Sequence, residues 1–404
     1  MKYMNGFPHQ LLSLARIYFA PYGVGLGHAS RLLAVAEQFR KSGAGVRFSS
    51  FGEAVNYLLM HGYDCMQVPP VELVWSSEGS FSIKGSIASI PRLFANFTRQ
   101  VNAEMRYIVS YSPDIIVSDT RLSPLLIAKI LGIPSVVVLN QVKLLLSPRL
   151  RAFKMARLYE KMNGEFLGML WRLADKILIP DLPPPYTIAE RNVWDTSTVA
   201  SRLCYVGFTS PKPVITNERL EKVCHCLGLN RSRPIVFFHL SGPKRTRSRI
   251  LQDILIACKS LGPDIQYIVS GGNPNGESEP RRMAANGWYY EWCPVRDEIF
   301  AVSNLLVIRG GHAVISQAIQ FGKPMLTIPI ENHGEQIGNS EKVSEIGIGA
   351  MIPSDQMNPK NLVETVHRLL ADRSVYRKAT ELMKLSGNLD GIDNIVNIIR
   401  SYLN

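Results

Sequence analysis

The chain has 404 residues, 46% hydrophobic and 19% charged, with 45 Lys and Arg against 33 Asp and Glu for a formal net charge of +12. That length suggests two domains, each with its own core, and the hydrophobic content excludes an intrinsically disordered chain. The basic balance favours anionic partners (nucleic acid, an acidic membrane surface or phosphorylated substrates) without choosing among them.

The first apolar run, 14–20, reads as a strand, and 30–42 as a helix with Leu32, Leu33, Val35, Ala36 and Phe39 on one face. Between them stands Gly23-Val24-Gly25-Leu26-Gly27-His28-Ala29-Ser30-Arg31. Glycines there allow a tight turn and close approach to a ligand, and a helix N-terminus favours negative charge. The spacing resembles a dinucleotide fingerprint, for which Glu53 is the one candidate acid after the second strand. His28 in such a strand-to-helix loop is either a general base or a helix cap.

Residues 46–50 read as a second strand and 53–61 as a helix closed by Gly62. The stretch 71–106 is irregular, mixing Trp75, Phe81, Phe94 and Phe97 with Lys84, Arg92, Arg99 and Arg106. Strand 115–118 follows, then Asp119, which either orients His28 from the same sheet edge or caps the helix 122–131 that Gly132 ends. Strand 135–139 leads to Asn140 and Gln141. In 143–176, eight Lys/Arg stand against three acids among interleaved apolar residues. Such a basic amphipathic stretch either lies on an anionic membrane or packs on the domain core.

A linker with Gly207, Pro211 and Pro213 then interrupts the pattern, dividing the chain into 1–207, a connection 208–214, and 215–404. Cys224, His225 and Cys226 either bind a metal or decorate a helix before Gly228; no second ligand pair stands at zinc-site spacing. Strands are expected at 235–240, 266–270, 305–308 and 324–328. Fully apolar strands alternating with helices imply an α/β fold with two doubly wound parallel sheets, ligands binding at their carboxyl edges across a shared cleft. Three loops stand at those edges in the second half. Ser241-Gly242-Pro243-Lys244-Arg245 offers cations to a leaving diphosphate. Arg309-Gly310-Gly311-His312, opening a helix that carries Ser316 and Gln317, suits a pyrophosphate. The polar loop 330–339, with Glu335 and Gln336, is dense in groups that bond sugar hydroxyls. No cluster of aspartates suggests a divalent ion. The six scattered cysteines form no disulfide framework, as in a reducing cytoplasm. No run reaches the ~18 uninterrupted apolar residues of a membrane span, and the N-terminus, broken by His9, Gln10 and Arg16, does not read as a signal peptide.

A Gly-x-Gly-His loop after strand one, a Pro-containing linker, a Ser-Gly loop, the Tyr290-Glu291-Trp292-Cys293-Pro294 segment, Gly-Gly-His and a polar loop ending in Glu-Gln together resemble the GT-B glycosyltransferases. Within them the chain is most similar to the lipid-linked N-acetylglucosaminyltransferases (family 28-like) and their archaeal and bacterial relatives. The resemblance implies two Rossmann-like domains, with the last helix free to pack back on the first. It implies inverting transfer of N-acetylglucosamine or another hexose from a UDP-sugar to a hydroxyl acceptor, with no metal or cofactor. His28 would serve as base and Asp119 as its partner, with Gly25, Gly27, Arg31, Asn140 and Gln141 on the acceptor side. Ser241, Gly242, Lys244, Arg245, Arg309 and Ser316 would belong to the donor site, with Gly310, Gly311 and His312 holding the diphosphate. Trp292 and Cys293 would meet the nucleobase, Gln317 the ribose where relatives often have glutamate, and Glu335 and Gln336 the sugar. The expected partners are a nucleotide sugar and a lipid-linked acceptor at an anionic membrane surface, with no nucleic acid, and the expected location is cytoplasmic or peripheral on the inner membrane face. The alternatives are a nucleotide-sugar epimerase or hydrolase on the same fold, and a basic nucleic-acid binder.

Overall fold

The expected strands all fall in one or other of two sheets that are parallel but for one pair. The computed structural model of the protein describes residues 15–71, 83–146, 148–210, 215–242 and 244–403. Leu14, Trp75, Phe81, Pro211, Pro213 and Pro243 of the expectations above lie outside the described residues.

The first lobe runs β1 (Arg16–Pro21), α1 (Leu26–Lys41), β2 (Gly45–Ser50), α2 (Glu53–Met60), β3 (Cys65–Gln67), α3 (Ile83–Tyr111), β4 (Ile115–Asp119), α4 (Ser123–Leu131), β5 (Ser135–Val138), α5 (Pro148–Arg151), α6 (Lys154–Trp171), β6 (Lys176–Ile179), α7 (Glu190–Val193) and β7 (Leu203–Tyr205). Its sheet has the order β3-β2-β1-β4-β5-β6-β7, parallel throughout. The second lobe runs α8 (Asn217–Leu227), β8 (Ile235–His239), α9 (Lys244–Cys258), β9 (Gln266–Ser270), β10 (Arg281–Ala284), β11 (Gly287–Tyr290), α10 (Arg296–Val302), β12 (Leu305–Ile308), α11 (His312–Gln320), β13 (Met325–Thr327), α12 (Gly334–Ile346), β14 (Gly349–Met351), α13 (Pro359–Ala371), α14 (Arg373–Gly387) and α15 (Gly391–Arg400). Its order is β10-β11-β9-β8-β12-β13-β14, with only the β10–β11 pair antiparallel.

The strand order positions the site. In the first sheet the chain winds one way through β1, β2 and β3 and then the other way from β4. In the second it winds one way from β8 and the other way from β12. The crevices at these reversals, outside the carboxyl ends of β1 and β4 and of β8 and β12, are where doubly wound sheets bind ligands.

Several expectations need correction. α1 begins at Leu26, so Gly27 and His28 belong to a first helical turn rather than a loop. Gly25, at φ 72, supplies the left-handed step that starts it. Lys244 and Arg245 likewise open α9 instead of extending a loop. The irregular stretch 71–106 contains most of the 29-residue α3, continuous through Pro91. Cys224, His225 and Cys226 sit on α8, which Gly228 closes at φ 59. Among the described residues no group of three His, Cys, Asp or Glu stands where it could hold a metal ion. Among them, too, no helix is long and apolar enough to cross a membrane.

The core passes from one lobe to the other within three residues: Val206 belongs to the first lobe's cluster and Phe208 to the second's. The chain returns at its end, where Ile395, Val396 and Ile399 of α15 fill the first lobe's core against α1. The two crossings touch. A Cβ on Gly391 would lie 2.4 Å from the Gly207 carbonyl oxygen, and one on Gly207, at φ +91, 2.7 Å from that of Leu389.

Candidate active site

A cavity of about 710 Å³ opens between the lobes. The first lobe contributes Tyr22 and Val24 from the β1–α1 turn, His28 from the first turn of α1, Phe97 and Gln100 from α3, Asn140 and Gln141 after β5, and Leu167 and Trp171 from α6; the second contributes Gly242, Ile330, His333, Glu335 and Gln336.

His28 is held from behind. Its Nδ1 lies 2.7 Å from Oδ1 of Asp119, the last residue of β4, and its side chain is 25% exposed whereas that of Asp119 is wholly buried. The edge of its ring meets Tyr22 with centroids 5.6 Å apart. Arg31, one turn along α1, clamps the same carboxylate: Nε pairs with Oδ2, and Nη2 donates to Oδ1 at 2.8 Å. Its Nη1 donates to Asn140 Oδ1, and Thr120 Oγ1 adds a bond of 2.9 Å to Asp119. Burial opposes ionisation of Asp119, but the Arg31 charge and His28, with the bonds both make, hold its carboxyl well below the usual carboxylate range. An ionised Asp119 favours the proton on Nδ1 of His28. That leaves Nε2, which makes no hydrogen bond among the described residues, to accept a proton from a ligand.

Gly25 and Gly27 face open space, with nothing within 4 Å of a Cβ at either, whereas a Cβ on Gly23 would lie 2.1 Å from the Phe51 carbonyl oxygen. Gly23 therefore serves packing, and the next two leave the turn clear. Behind the cavity is a network that the sequence did not reveal. Arg121 pairs with Glu104 at 2.7 Å and donates to Ser49 Oγ at 3.0 Å; Ser49 donates to Glu104 at 2.6 Å, and Ser123 to Gln100 at 2.6 Å. All five are buried, and Arg121 and Gln100 reach the cavity wall.

On the second lobe, the Arg309–His312 turn is tighter than its sequence suggests. A Cβ on Gly310 would lie 2.3 Å from the Gln336 carbonyl oxygen, so this glycine exists to let α12 approach, and Asn339 Nδ2 donates to its carbonyl at 3.1 Å. The Arg309 side chain is buried rather than turned to the cleft, and burial lowers its pKa to about 10. The His312 imidazole is also buried, with Nε2 3.0 Å from Asp181 Oδ2 of the first lobe. Asp181 is fixed in turn by the amides of Leu182 and Ala189, each at 2.8 Å. None of residues 309–312 lines the cavity; α11 begins at His312 with Gly311 at its cap, and among the described residues no side chain caps it.

Gly242, at φ +97, lines the cavity, with Ser241 half-buried beside it and Lys244 and Arg245 exposed on α9. His333 caps α12 by accepting the Gln336 amide at 3.4 Å, and burial keeps its pKa below the ordinary histidine value, as an acceptor nitrogen requires. Gln336 Oε1 accepts from the Ile330 amide at 3.0 Å, fixing the loop that presents Glu335. Further from the cavity, Ser316 is buried and donates to the His312 carbonyl at 2.8 Å, and Gln317 is half-buried on α11. Trp292 is 41% exposed after β11, and Cys293 is buried, its thiol pushed up to about 12 by burial. The lobes meet closely here: a Cβ on Gly334 would lie 2.8 Å from the Leu146 carbonyl oxygen, and Lys342 on α12 pairs with Glu190 on α7 at 2.7 Å.

Residues 249–395 match the Glycosyltransferase family 28 C-terminal domain, and residues 15–154 match Glycosyl transferase family 1. An uncharacterized glycosyltransferase of Methanosarcina acetivorans is 26% identical over 390 residues, 94% of this chain and 97% of that protein. The UDP-N-acetylglucosamine--N-acetylmuramyl-(pentapeptide) pyrophosphoryl-undecaprenol N-acetylglucosamine transferase of Lachnospira eligens is 32% identical over 106 residues, 26% of this chain and 29% of that one. Among solved structures, the glycotransferase of kitacinnamycin shares the fold with a TM-score of 0.72 at 16% identity, covering 97% of this chain and 99% of that chain. The chain is a GT-B glycosyltransferase whose C-terminal lobe is similar to family 28.

Proposed function

We propose that the chain transfers a sugar from a UDP-sugar to a hydroxyl of a lipid-linked acceptor, with inversion at the anomeric carbon and without a divalent metal, at the inner face of a membrane. The observation that carries this reading is His28, backed by Asp119, on the wall of a largely apolar cavity whose opposite side is the His333–Gln336 turn. An acceptor chain lying against Val24, Phe51, Phe97, Leu122, Leu167 and Trp171 would bring its hydroxyl to His28. Nε2 takes the hydroxyl proton as the oxygen attacks the anomeric carbon and the bond to the diphosphate breaks, and Asp119 stabilises the resulting imidazolium.

The leaving diphosphate would meet the uncapped amides of α11 and the Ser241–Gly242 turn, with Lys244 and Arg245 supplying positive charge nearby. Glu335 and Gln336 would bind sugar hydroxyls, Gln317 the ribose and Trp292 the base. The Lachnospira relative, whose name includes a UDP-sugar donor and an undecaprenol-linked acceptor, supports the UDP and lipid parts of the reading.

A thermal-shift screen of nucleoside diphosphates, then of UDP-sugars, tests the donor. UDP should stabilise the protein most, and preference for another base would remove the UDP part. Transfer to a polyprenyl phosphate-linked sugar should persist in EDTA and yield the inverted anomer. His28→Ala should keep UDP binding and lose transfer. Isomerised or hydrolysed sugar formed from UDP-N-acetylglucosamine without acceptor would favour the epimerase or hydrolase reading.

A further inference from the structure

Helix α6 has two faces of unlike purpose. Inward, Glu160, Gly164, Gly168 and Trp171 are buried, and Leu167 and Trp171 line the cavity. Outward, Met155, Leu158, Tyr159, Met162, Phe166 and Met169 are exposed, Met155 at 74% and Phe166 at 57%. At 3.6 residues per turn these six fall within an arc of roughly 100°. Scattered exposed apolar side chains are ordinary, but a continuous stripe of six marks a binding surface.

The exposed charged residues of the helix have one sign. Lys154, Arg157 and Lys161 are exposed, and among the described residues none of them is ion-paired. The helix's two acids are both engaged elsewhere. Glu160 accepts the Leu146 amide at 2.7 Å and pairs with Arg151 at 3.0 Å; Glu165 accepts the Ser197 amide at 2.8 Å and is also bonded by Thr198. A second copy of the chain is a poor occupant, because a two-fold contact along this stripe would bring each copy's three bases toward the other's. Apolar side chains flanked by unpaired bases fit the boundary between acyl chains and anionic headgroups.

We infer that the outward face of α6 seats the protein on an anionic lipid bilayer, with Met162 and Phe166 entering the acyl boundary and Lys154, Arg157 and Lys161 meeting the headgroups. This deepens the proposed lipid-acceptor reading by naming its surface. The helix that rests on the bilayer is also a wall of the cavity, so a lipid-linked acceptor would pass along α6 without entering bulk water. Phe94, 72% exposed one turn before the cavity residue Phe97 on α3, extends the apolar rim.

Sedimentation with vesicles of phosphatidylcholine alone, or mixed with phosphatidylglycerol, tests this without any enzyme assay, so its result is separable from that of the transfer reading. The full chain should bind the anionic vesicles and not the neutral ones. The double variant Met162→Glu, Phe166→Glu should lose about tenfold or more in partitioning, and the triple variant Lys154→Glu, Arg157→Glu, Lys161→Glu should lose the preference for phosphatidylglycerol. These positions are exposed, and an unchanged circular-dichroism melting curve checks that each variant is folded. A Met162→Cys protein carrying an environment-sensitive fluorophore should shift to the blue on anionic vesicles. Indifference of the wild type to both vesicles, equal binding by the variants, an unmoved fluorophore, or a dimer in light scattering that Met162→Glu dissociates would each overturn the assignment.

Discussion

Nη2 of Arg31 stands 2.9 Å from Nδ1 of His28, the same ring nitrogen that faces Asp119 Oδ1. One nitrogen cannot donate to Asp119 and accept from Arg31 at once. With the proton on Nδ1, Asp119 is the partner and Nε2 is free to act as base; with the proton on Nε2, Arg31 is the partner and the ring offers no base. Asp119→Asn keeps the shape but removes the charge that selects the first arrangement. It should lower the transfer rate about a hundred- to ten-thousand-fold while leaving UDP binding intact. Steady-state rates set beside UDP titrations check this, and loss of both together would mark Asp119 as structural.

Acid should act on the same carboxylate. The folded pKa of Asp119 is depressed, so its contribution to stability is fully present above the unfolded value, ordinarily near 4, and is lost as pH falls below that toward the folded value. Urea midpoints of the wild type should therefore fall between about pH 5 and pH 2. Asp119→Asn, already lacking the pair, should start lower by about 3 kcal/mol and show a shallower fall.

The glycines of the two turns should separate by mutation. Gly310→Ala drives a Cβ into the backbone of α12 and should cost about 1–3 kcal/mol. Gly27→Ala meets nothing within 4 Å and lies in a helix, so it should hold or raise the melting temperature. A transfer defect in Gly27→Ala at full stability would show that the open space above the turn is used by a ligand.

Glu160 links α6 to the segment that follows β5 through Leu146, whose carbonyl abuts Gly334 at the start of α12. Glu160→Ala frees that loop and leaves the His28 pair untouched. The KM for acceptor should rise several-fold with a smaller change in kcat, and Glu160→Gln, which can still accept from the amide, should recover part of it. An unchanged KM would show that the loop holds its place without this bond.

Much of this was legible because β1, β4, β5, β8, β9 and β12 are continuous apolar runs, and strands buried on both faces have that signature. The three- and four-residue strands β3, β7, β10 and β14 have too little sequence to show a period, and they lie toward the sheet edges. β6 was hidden differently: its Lys-Ile-Leu-Ile run begins at the last base of a stretch read for its charge. His28, Asp119 and Asn140 could be named one at a time because each stands at or soon after the carboxyl end of a strand. That Arg31 joins all three depends on β1, β4 and β5 being neighbours, a relation between residues 88 and 109 positions apart. The Glu104–Arg121 network stayed invisible because α3 gave no helical reading. The burial of Arg309 and His312 could not be foreseen either, since a glycine turn looks the same in sequence whether it faces a ligand or another helix.

The back-to-back glycines at 207 and 391 have a consequence for how the molecule is made. Ile395, Val396 and Ile399 belong to a core whose other members were synthesised hundreds of residues earlier. On the ribosome, the first lobe's sheet must wait with one flank uncovered until α15 has been made, while the second lobe's sheet can close as soon as its own helices emerge. A fragment cut at the join would keep that flank exposed permanently and should aggregate, whereas adding the last helix back as a separate peptide should restore its solubility.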